Sequence, residues 1–186
     1  MEDTRLGMDR WSNLMVQDIC SLRGSYVDKW IGAETAIIEG NETEPSQFVH
    51  SDVPCIQVGA LYLRFREREP MKFTTYQDDD IWGIRISRVE NNDELVPRSA
   101  SGHLPFRTRH LPDLPAGHLQ DVTVTSDGSS GVIAEVVLNI EGQDILLVAG
   151  EIYEMWDGGV EFARLDESIL LFPDPKAAQL IEWRNP

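Results

Sequence analysis

Acidic and aromatic side chains alternate in one short segment of this sequence. Its five members are Glu151, Tyr153, Glu154, Trp156 and Asp157. Carboxylates attract cationic partners, and tyrosine and tryptophan are enriched among the side chains that anchor protein interfaces. We therefore predict that these five residues, called the acidic rim below, contact a partner protein. The alternative is that the two aromatic side chains belong to the core and the acidic ones to an ordinary surface.

A second acidic cluster consists of three adjacent aspartates, Asp78, Asp79 and Asp80, between two predicted strands at the tip of a hairpin. Three carboxylates can bind a divalent cation, or they can present negative charge to an arginine-rich or lysine-rich partner. A solvated turn is the third interpretation. We assign this aspartate turn to the predicted partner-binding set, together with the acidic rim. Asp166 and Glu167, in a later turn, could extend the rim.

Histidine and cysteine, the usual zinc ligands and nucleophiles, lack the spacing that such sites require. The histidines are His50, His103, His110 and His118, and no two of them form a close pair of the H-x-x-x-H type. Cys55 precedes an apolar strand, and no neighbouring charge would lower the pKa of its thiol. Phosphate-binding, dinucleotide-binding, serine-hydrolase and metalloprotease motifs are also missing from the sequence. We therefore predict no catalytic residue, no cofactor and no metal ion.

The charge balance points to a cationic partner. Of 186 residues, 32 are acidic and 16 are basic, and the resulting net charge of −16 is spread along the whole chain. An acidic surface attracts cationic proteins and repels nucleic acid. We predict a cationic protein partner and no direct binding to nucleic acid.

Secretion and membrane signals are not recognisable in the sequence. The N-terminus lacks the basic start and apolar core of a signal peptide. The longest aliphatic run, Ile145–Ala149, is far shorter than the ~20 residues that span a bilayer. The two cysteines, Cys20 and Cys55, favour reduced thiols over a disulfide framework. We expect a cytoplasmic protein that does not contact a membrane.

One row of basic residues runs against the net charge. Arg64, Arg66 and Arg68 alternate along a predicted strand, so their side chains share a face. Lys72 and Arg85 could join them from neighbouring strands. Such a row could bind an anion, but pairing with acidic residues across the strands, or coverage by a helix, fits the global charge better.

Two changes of hydrophobic period divide the chain. Apolar residues three and four positions apart predict a helix over about 8–22. The segment 24–54 has no clear pattern, although 30–39 could form a strand. Alternation with a period of two then predicts antiparallel strands over about 55–172, and it is cleanest from Val132 to Ile140.

Two further segments complete the organisation. Residues 91–117 are rich in proline, glycine, serine and asparagine, which predicts a long irregular loop of a functional or mobile kind. Asp174-Pro175 has the composition of a helix N-terminus, so a short helix is predicted over about 175–184. We predict one domain over 1–186. Its fold class is α+β, mostly antiparallel β, as a sandwich or partly open barrel with an N-terminal and a short C-terminal helix.

Four segments carry a resemblance to a known class of proteins: LPAGHLQDVTVT, GVIAEVVLNI, ILLVAGEIYEMWDGGVEF and DESILLF. Together they resemble small acidic β-rich immunity proteins of bacterial polymorphic toxin systems, over roughly residues 55–172. The shared elements are the strand alternation, the Gly150-Glu151 step, the Asp-Gly turn and Asp166-Glu167-Ser168. The resemblance implies a cytoplasmic protein that binds one cognate toxin domain and blocks it without chemistry of its own.

The charge of the chain is compatible with this function, because toxins that act on nucleic acids tend to have cationic clefts that an acidic protein can occupy. An alternative is a small enzyme, or a protein that binds a small ligand or metal, with a site at the 91–117 loop that uses His103, His110 or His118. A third possibility is an accessory subunit that docks through the apolar face of its N-terminal helix.

Overall fold

The structure, a computed structural model, describes residues 12–91, 95–98 and 104–184. A helix, α1, covers residues 12–20 and buries Ile19, and the turn after it buries Leu22. This agrees with the helix predicted over about 8–22, of which the first residues lie outside the described part. No helix in the described ranges has the length and apolar content needed to span a membrane.

Ten strands follow in the described ranges, and all of them belong to one sheet. They are β1 Tyr26–Thr35, β2 Ile56–Phe65, β3 Met71–Asp78, β4 Ile81–Arg88, β5 Phe106–His110, β6 Gly117–Ser126, β7 Ile133–Ile140, β8 Gln143–Glu154, β9 Val160–Phe172 and β10 Trp183–Arg184. A four-residue helix, α2 Pro175–Ala178, lies between β9 and β10. The fold is therefore mostly antiparallel β with two short helices, as predicted.

The sheet curls until it is partly closed. Its strand order is β10-β9-β8-β7-β6-β1-β2-β3-β4, and β9 also pairs with β2, which joins distant parts of the order. Six strands thus form a ring, whereas β3 and β4 continue from β2 and pack against β9. The ring is irregular, because β1 pairs with β6 at two positions only, Tyr26 with His118 and Val27 with Gly117.

The core fills the inside of this curled sheet. Along β7, Val136, Leu138 and Ile140 are fully buried, while the residues between them are only partly buried. This alternation is the pattern of a strand with one face on the core. In β8 the residues from Ile145 to Ile152 are all buried, because both faces of this central strand are covered.

The strand-rich body begins earlier than the predicted residue 55. β1 covers Tyr26–Thr35, in the segment where only a possible strand over 30–39 is predicted. Two register shifts, between Val27 and Lys29 and between Ala33 and Glu34, interrupt its pairing with β2. Each shift moves later side chains to the opposite face, so the apolar residues do not alternate regularly along the sequence.

The predicted irregular loop over 91–117 contains a strand. β5 pairs with β1, and the side chains of Arg107 and Arg109 both bind the carboxylate of Glu34, which is 1% exposed. Its sequence, FRTRH, has no apolar alternation because one ion-paired carboxylate, rather than a set of apolar side chains, attaches it to the body. The loop ends at Gly117, where β6 begins.

The predicted C-terminal helix over 175–184 is correct only in its first turn. Asp174 caps α2, since its side chain accepts a hydrogen bond from the Lys176 amide. The chain then returns to the sheet as β10, parallel to β9. The ring of Trp183 packs edge-on against Phe162 and Phe172. Burial of this large aromatic ring favours the return to the sheet over a longer helix.

Candidate acidic binding site

A bulge on β9 interrupts the pairing of this strand with β8. Ala149 of β8 pairs with Ile169, but the next residue, Gly150, pairs with Arg164. Residues 165–168 of β9 therefore have no partner in β8, and Leu165 takes a left-handed backbone conformation at φ 56°. The bulge directs Asp166, Glu167 and Ser168 towards β8.

Gly150 permits this geometry. A Cβ atom at this position would lie 2.5 Å from the carbonyl oxygen of Ala163, closer than real Cβ atoms approach backbone oxygen. The two strands can therefore cross closely only with glycine at this point. The Gly150-Glu151 step, which carries part of the resemblance to immunity proteins, is thus required by the backbone.

Glu151, the next residue, is buried beside the bulge. Its side chain is 8% exposed, and its Oε2 atom has no hydrogen-bond partner. Burial raises the pKa of this carboxyl group to about 7, and the neighbouring Glu167 and Asp166 add to the increase; a hydrogen bond from Ser168 lowers the pKa in part. Glu151 is therefore close to half protonated near neutral pH, and a nearby cation would favour its charged form.

A cleft of about 550 Å³ opens beside Glu151. It is called the acidic cleft here, and its lining consists of Thr35, Ala36, Ile37, Glu39, Gly59, Phe106, Glu151, Ile152, Tyr153, Glu154, Glu167 and Ser168. Four of these residues carry carboxyl groups, and no lysine, arginine or histidine is among the lining residues that the structure describes. The cleft is therefore suited to positive charge.

Gln57 of β2 holds the inner wall of the acidic cleft in place. Its side chain is 2% exposed; the amide oxygen accepts a hydrogen bond of 2.8 Å from the Ile152 amide, and the amide nitrogen donates to the Ala36 carbonyl at 3.4 Å. One side chain thereby joins β2, β8 and the segment after β1. Sequence reasoning missed this residue, because a lone glutamine in an apolar strand gives no indication of its partners.

Tyr153 stands at the junction of the acidic cleft and the acidic rim. Its hydroxyl group donates a hydrogen bond of 2.9 Å to Asp166 in the bulge, and the guanidinium group of Arg184 lies 5.2 Å from its ring centre. Partial burial raises the pKa of Tyr153 to about 12, and the hydrogen bond to Asp166 contributes. The phenol thus stays neutral and remains a donor.

The outer end of the acidic rim is the turn between β8 and β9. Trp156 at its tip is 94% exposed, and Glu154 and Asp157 beside it are exposed as well. Three hydrogen bonds order the turn: Met155 N–H to Gly159 O, Gly158 N–H to Met155 O, and Gly159 N–H to the Asp157 carboxylate, each 2.9–3.0 Å long. Trp156 is therefore held in solvent by an ordered hairpin and contributes nothing to the core.

The structure places the aspartate turn on a different hairpin. Asp78, Asp79 and Asp80 form the tip between β3 and β4, and Asp79 and Asp80 are exposed. The body of that hairpin touches the bulge, since the Thr75 hydroxyl donates to the Glu167 carbonyl. The bulge is thus the place where the hairpins of the two predicted acidic clusters approach each other.

The candidate metal ligands and the candidate nucleophile form no common site in the part of the chain that the structure describes. In residues 12–91, 95–98 and 104–184, no three histidine, cysteine, aspartate or glutamate side chains come together in a way that could hold a metal ion. Burial raises the pKa of the Cys55 thiol to about 12, which opposes formation of a thiolate nucleophile. His103 lies outside the described residues, and His118 packs edge-on against Tyr26.

The arginine row covers aromatic side chains. The guanidinium group of Arg66 lies 3.7 Å from the ring centre of Tyr26, and that of Arg68 lies 5.4 Å from the ring centre of Phe65. Arg68 also donates to the Ser21 carbonyl at 3.2 Å, in the turn after α1. Arg66 and Arg68 thus pack against the protein itself.

A second cavity borders the end of the predicted 91–117 loop. It has a volume of about 300 Å³ and is lined by Asp28, Lys29, Trp30, His110, Leu111, Pro112, Leu114 and Ala116. Trp30 is almost fully buried in its wall, and its indole N–H donates to the Pro115 carbonyl at 2.7 Å. His110, one of the three histidines considered for this region, lines this cavity.

Comparison with protein-family models, with curated proteins and with solved structures found no match for this chain.

Proposed function

We propose that this chain is an acidic binding protein that docks a cationic protein partner through the acidic rim. The observation that carries the proposal is the 94% exposure of Trp156 on an ordered turn between two carboxylates, Glu154 and Asp157. A tryptophan costs free energy when it is held in water. Interfaces recover this cost, because tryptophan is enriched among the residues that dominate binding energy.

Charge supports a cationic partner. Glu154, Asp157 and Glu167 have no basic partner within 4 Å among the described residues, whereas six other ion pairs neutralise carboxylates elsewhere. Unpaired carboxylates accelerate the encounter with a cationic surface and make the encounter sensitive to salt. The aspartate turn, Asp78–Asp80, adds a second negative surface on the neighbouring hairpin.

The class of partner follows from the resemblance to immunity proteins. A toxin that cleaves or modifies nucleic acid binds phosphate in a cationic active site, and a rigid acidic hairpin can occupy such a site in place of phosphate. We therefore propose a cytoplasmic protein that neutralises a cognate toxin domain and catalyses no reaction. Under this proposal Trp156 anchors the contact, and the carboxylates of the rim and of the aspartate turn replace phosphate groups.

The test is a capture experiment from the native host with three purified baits: wild type, a rim variant carrying Glu154→Gln, Trp156→Ala and Asp157→Asn, and a control carrying Leu180→Ala. Leu180 is 88% exposed but lies outside both acidic clusters. We expect the wild type and the control to retain one stoichiometric partner with a cationic domain, and the rim variant to lose it. Equal retention by all three baits, or insensitivity to 0.5 M salt, would contradict the proposal.

The cavity of about 300 Å³ beside His110 favours a second candidate function, binding of a small ligand. Its lining combines an apolar wall with Asp28, Lys29 and His110, a composition typical of small-molecule sites. Thermal unfolding in a panel of anions, metal ions and small metabolites tests this candidate. A ligand that raises Tm in the wild type and not in a His110→Ala variant would support it.

A further inference from the structure

The acidic cleft contains a buried acceptor that the described part of the protein leaves unused. The Oε2 atom of Glu151 is inaccessible to solvent and accepts no hydrogen bond, although the side chain lines the cleft. Buried carboxylate oxygens normally have a donor, because an unsatisfied acceptor opposes folding. Because the Glu151 side chain lines the cleft, a turn of its carboxylate towards the cleft lets a donor that enters from outside satisfy this acceptor.

Charge restricts this donor to a cation. Glu39, Glu154 and Glu167 line the same cleft, and Asp166 lies near enough to Glu151 to raise its pKa. A neutral donor would leave the mutual repulsion of these carboxylates unchanged, whereas a cation would reduce it. The described lining supplies no cation of its own.

The remaining lining selects a guanidinium group over an ammonium group. Phe106 is 64% exposed and offers an aromatic surface on which a planar guanidinium can stack. Ile37 and Ile152 can pack against an aliphatic stem. A guanidinium is also less strongly hydrated than an ammonium, so it enters a recess more readily and can bind a carboxylate through two parallel hydrogen bonds.

We propose that the acidic cleft receives an arginine side chain of the cationic partner protein and pairs its guanidinium group with Glu151. The origin of the arginine rests on the function proposed above, whereas the selectivity of the cleft does not. Free arginine carries an α-carboxylate, which the four carboxyl groups of the lining repel, and an α-ammonium group, which they attract. These two charges offset each other, so the guanidinium group is what the cleft recognises in both forms.

Binding of a guanidinium group in the cleft is coupled to the release of a proton from Glu151. The groups that face Glu151 are Asp166, Glu167 and Ser168 from β9, Tyr153 and Glu154 from β8, and Glu39 from the segment after β1. With the pKa of Glu151 at about 7 in the empty cleft, a guanidinium binds the ionised form and releases the proton carried at lower pH. Affinity therefore rises with pH, by about tenfold or more between pH 5.5 and pH 8.

The experiment is a titration of the isotope-labelled full chain, followed by the amide NMR shifts of 151–154 and 167–168. The probes are N-acetyl-arginine methylamide, the corresponding citrulline and lysine derivatives, and free L-arginine. Citrulline has nearly the shape of arginine without its charge. We expect the blocked arginine to bind with a Kd on the order of 1 mM at pH 8, and the citrulline and lysine derivatives to bind at least about tenfold more weakly. Free L-arginine should bind no more tightly than the blocked form.

Two variants make the result specific to the cleft. Glu151→Gln should weaken binding of the blocked arginine by about tenfold and abolish the pH dependence of this binding. Glu167→Gln should weaken the binding less and keep its pH dependence. Trp156→Ala should bind the probe like the wild type, so a failure of the docking function is distinguishable from a failure of the cleft. Equal binding of citrulline or lysine, or an unchanged affinity in Glu151→Gln, would overturn the proposal. Tighter binding of free L-arginine would overturn the assignment to a partner's side chain.

Discussion

The hydroxyl group of Tyr153 donates a hydrogen bond of 2.9 Å to Asp166, and this contact joins β8 to the bulge of β9 at the mouth of the acidic cleft. The two residues are brought together only because residues 165–168 leave the strand ladder. The hydrogen bond stabilises the carboxylate in a region crowded with negative charge. It therefore links the acidic rim to the cleft behind it.

Removal of this hydroxyl group tests the link. In Tyr153→Phe we expect the free energy of unfolding to fall by about 0.5–1 kcal/mol, because the contact is solvent-accessible and a typical hydrogen bond contributes about that much. A double-mutant cycle with Asp166→Asn, measured by urea unfolding, isolates the pair. A coupling energy near zero would show that the two side chains act independently.

The raised pKa of Glu151 makes stability depend on pH in a defined direction. Its pKa is about 7 in the folded protein against an ordinary value of 4.5, so its contribution is complete below about pH 4.5 and is lost as pH rises to about 7. A shift of this size corresponds to about 3 kcal/mol. Gln in this position cannot ionise. We therefore compare the free energies of unfolding of Glu151→Gln and the wild type. We expect the difference, variant minus wild type, to increase by about 2–3 kcal/mol from pH 5 to pH 8.

Urea unfolding of both proteins across this pH range measures the difference directly, and titrations common to the two chains cancel. Parallel stability curves would mean that Glu151 has an ordinary pKa in the folded protein. In that case the buried acceptor on which the arginine site depends would be absent.

Gly150 should tolerate no side chain. The Cβ atom of Gly150→Ala would meet the carbonyl oxygen of Ala163 at 2.5 Å, and backbone atoms cannot move aside as a flexible side chain can. We expect a loss of about 1–3 kcal/mol, typical of overpacking. Gly128→Ala is the matched control, since its Cβ would point into open space and should change stability by less than about 0.5 kcal/mol. Similar losses in both variants would refute the close approach of β8 and β9.

β5 should depend on the ion pairs of Glu34. The carboxylate is 1% exposed and binds both Arg107 and Arg109. Replacing both arginines with alanine leaves a buried charge without a partner, which we expect to cost about 3–5 kcal/mol. The exposed pair of Arg184 and Glu161 provides the comparison: Arg184→Ala should cost less than about 1 kcal/mol. Thermal unfolding ranks the two variants, and equal costs would contradict the structural role of Glu34.

The sequence predicted those elements in which burial alternates regularly. From Ala134 to Ile140 every second residue is buried, so the pattern identified both the strand and its inner face. β1 carries two register shifts, and β5 adds ion pairs rather than apolar contacts to its backbone pairing with β1, so neither shows the alternation on which the prediction relied. α2 stops after one turn because Trp183, which lies beyond its end, packs against Phe162 of β9. Local helix propensity does not reveal such a tertiary contact.

The clustering of the acidic rim residues could be predicted because they are adjacent in sequence, whereas the acidic cleft could not; contact of the rim with a partner stays a prediction. The cleft depends on a left-handed backbone conformation at Leu165 and on the tertiary hydrogen bonds of Gln57. Neither feature has a recognisable local pattern. The same holds for the buried state of Glu151, which looks like any other surface glutamate in a chain with 32 acidic residues.

In the function proposed above, the exposed tryptophan of the acidic rim anchors a cationic partner. The most direct measurement is the affinity of the captured partner for wild type and Trp156→Ala, by calorimetry at two salt concentrations, with Leu180→Ala as the control. We predict that Trp156→Ala raises Kd by about 30-fold or more, as removal of an interface anchor does. We also predict that salt raises the Kd of the wild type. An unchanged Kd in Trp156→Ala would show that the partner binds elsewhere and would contradict the account.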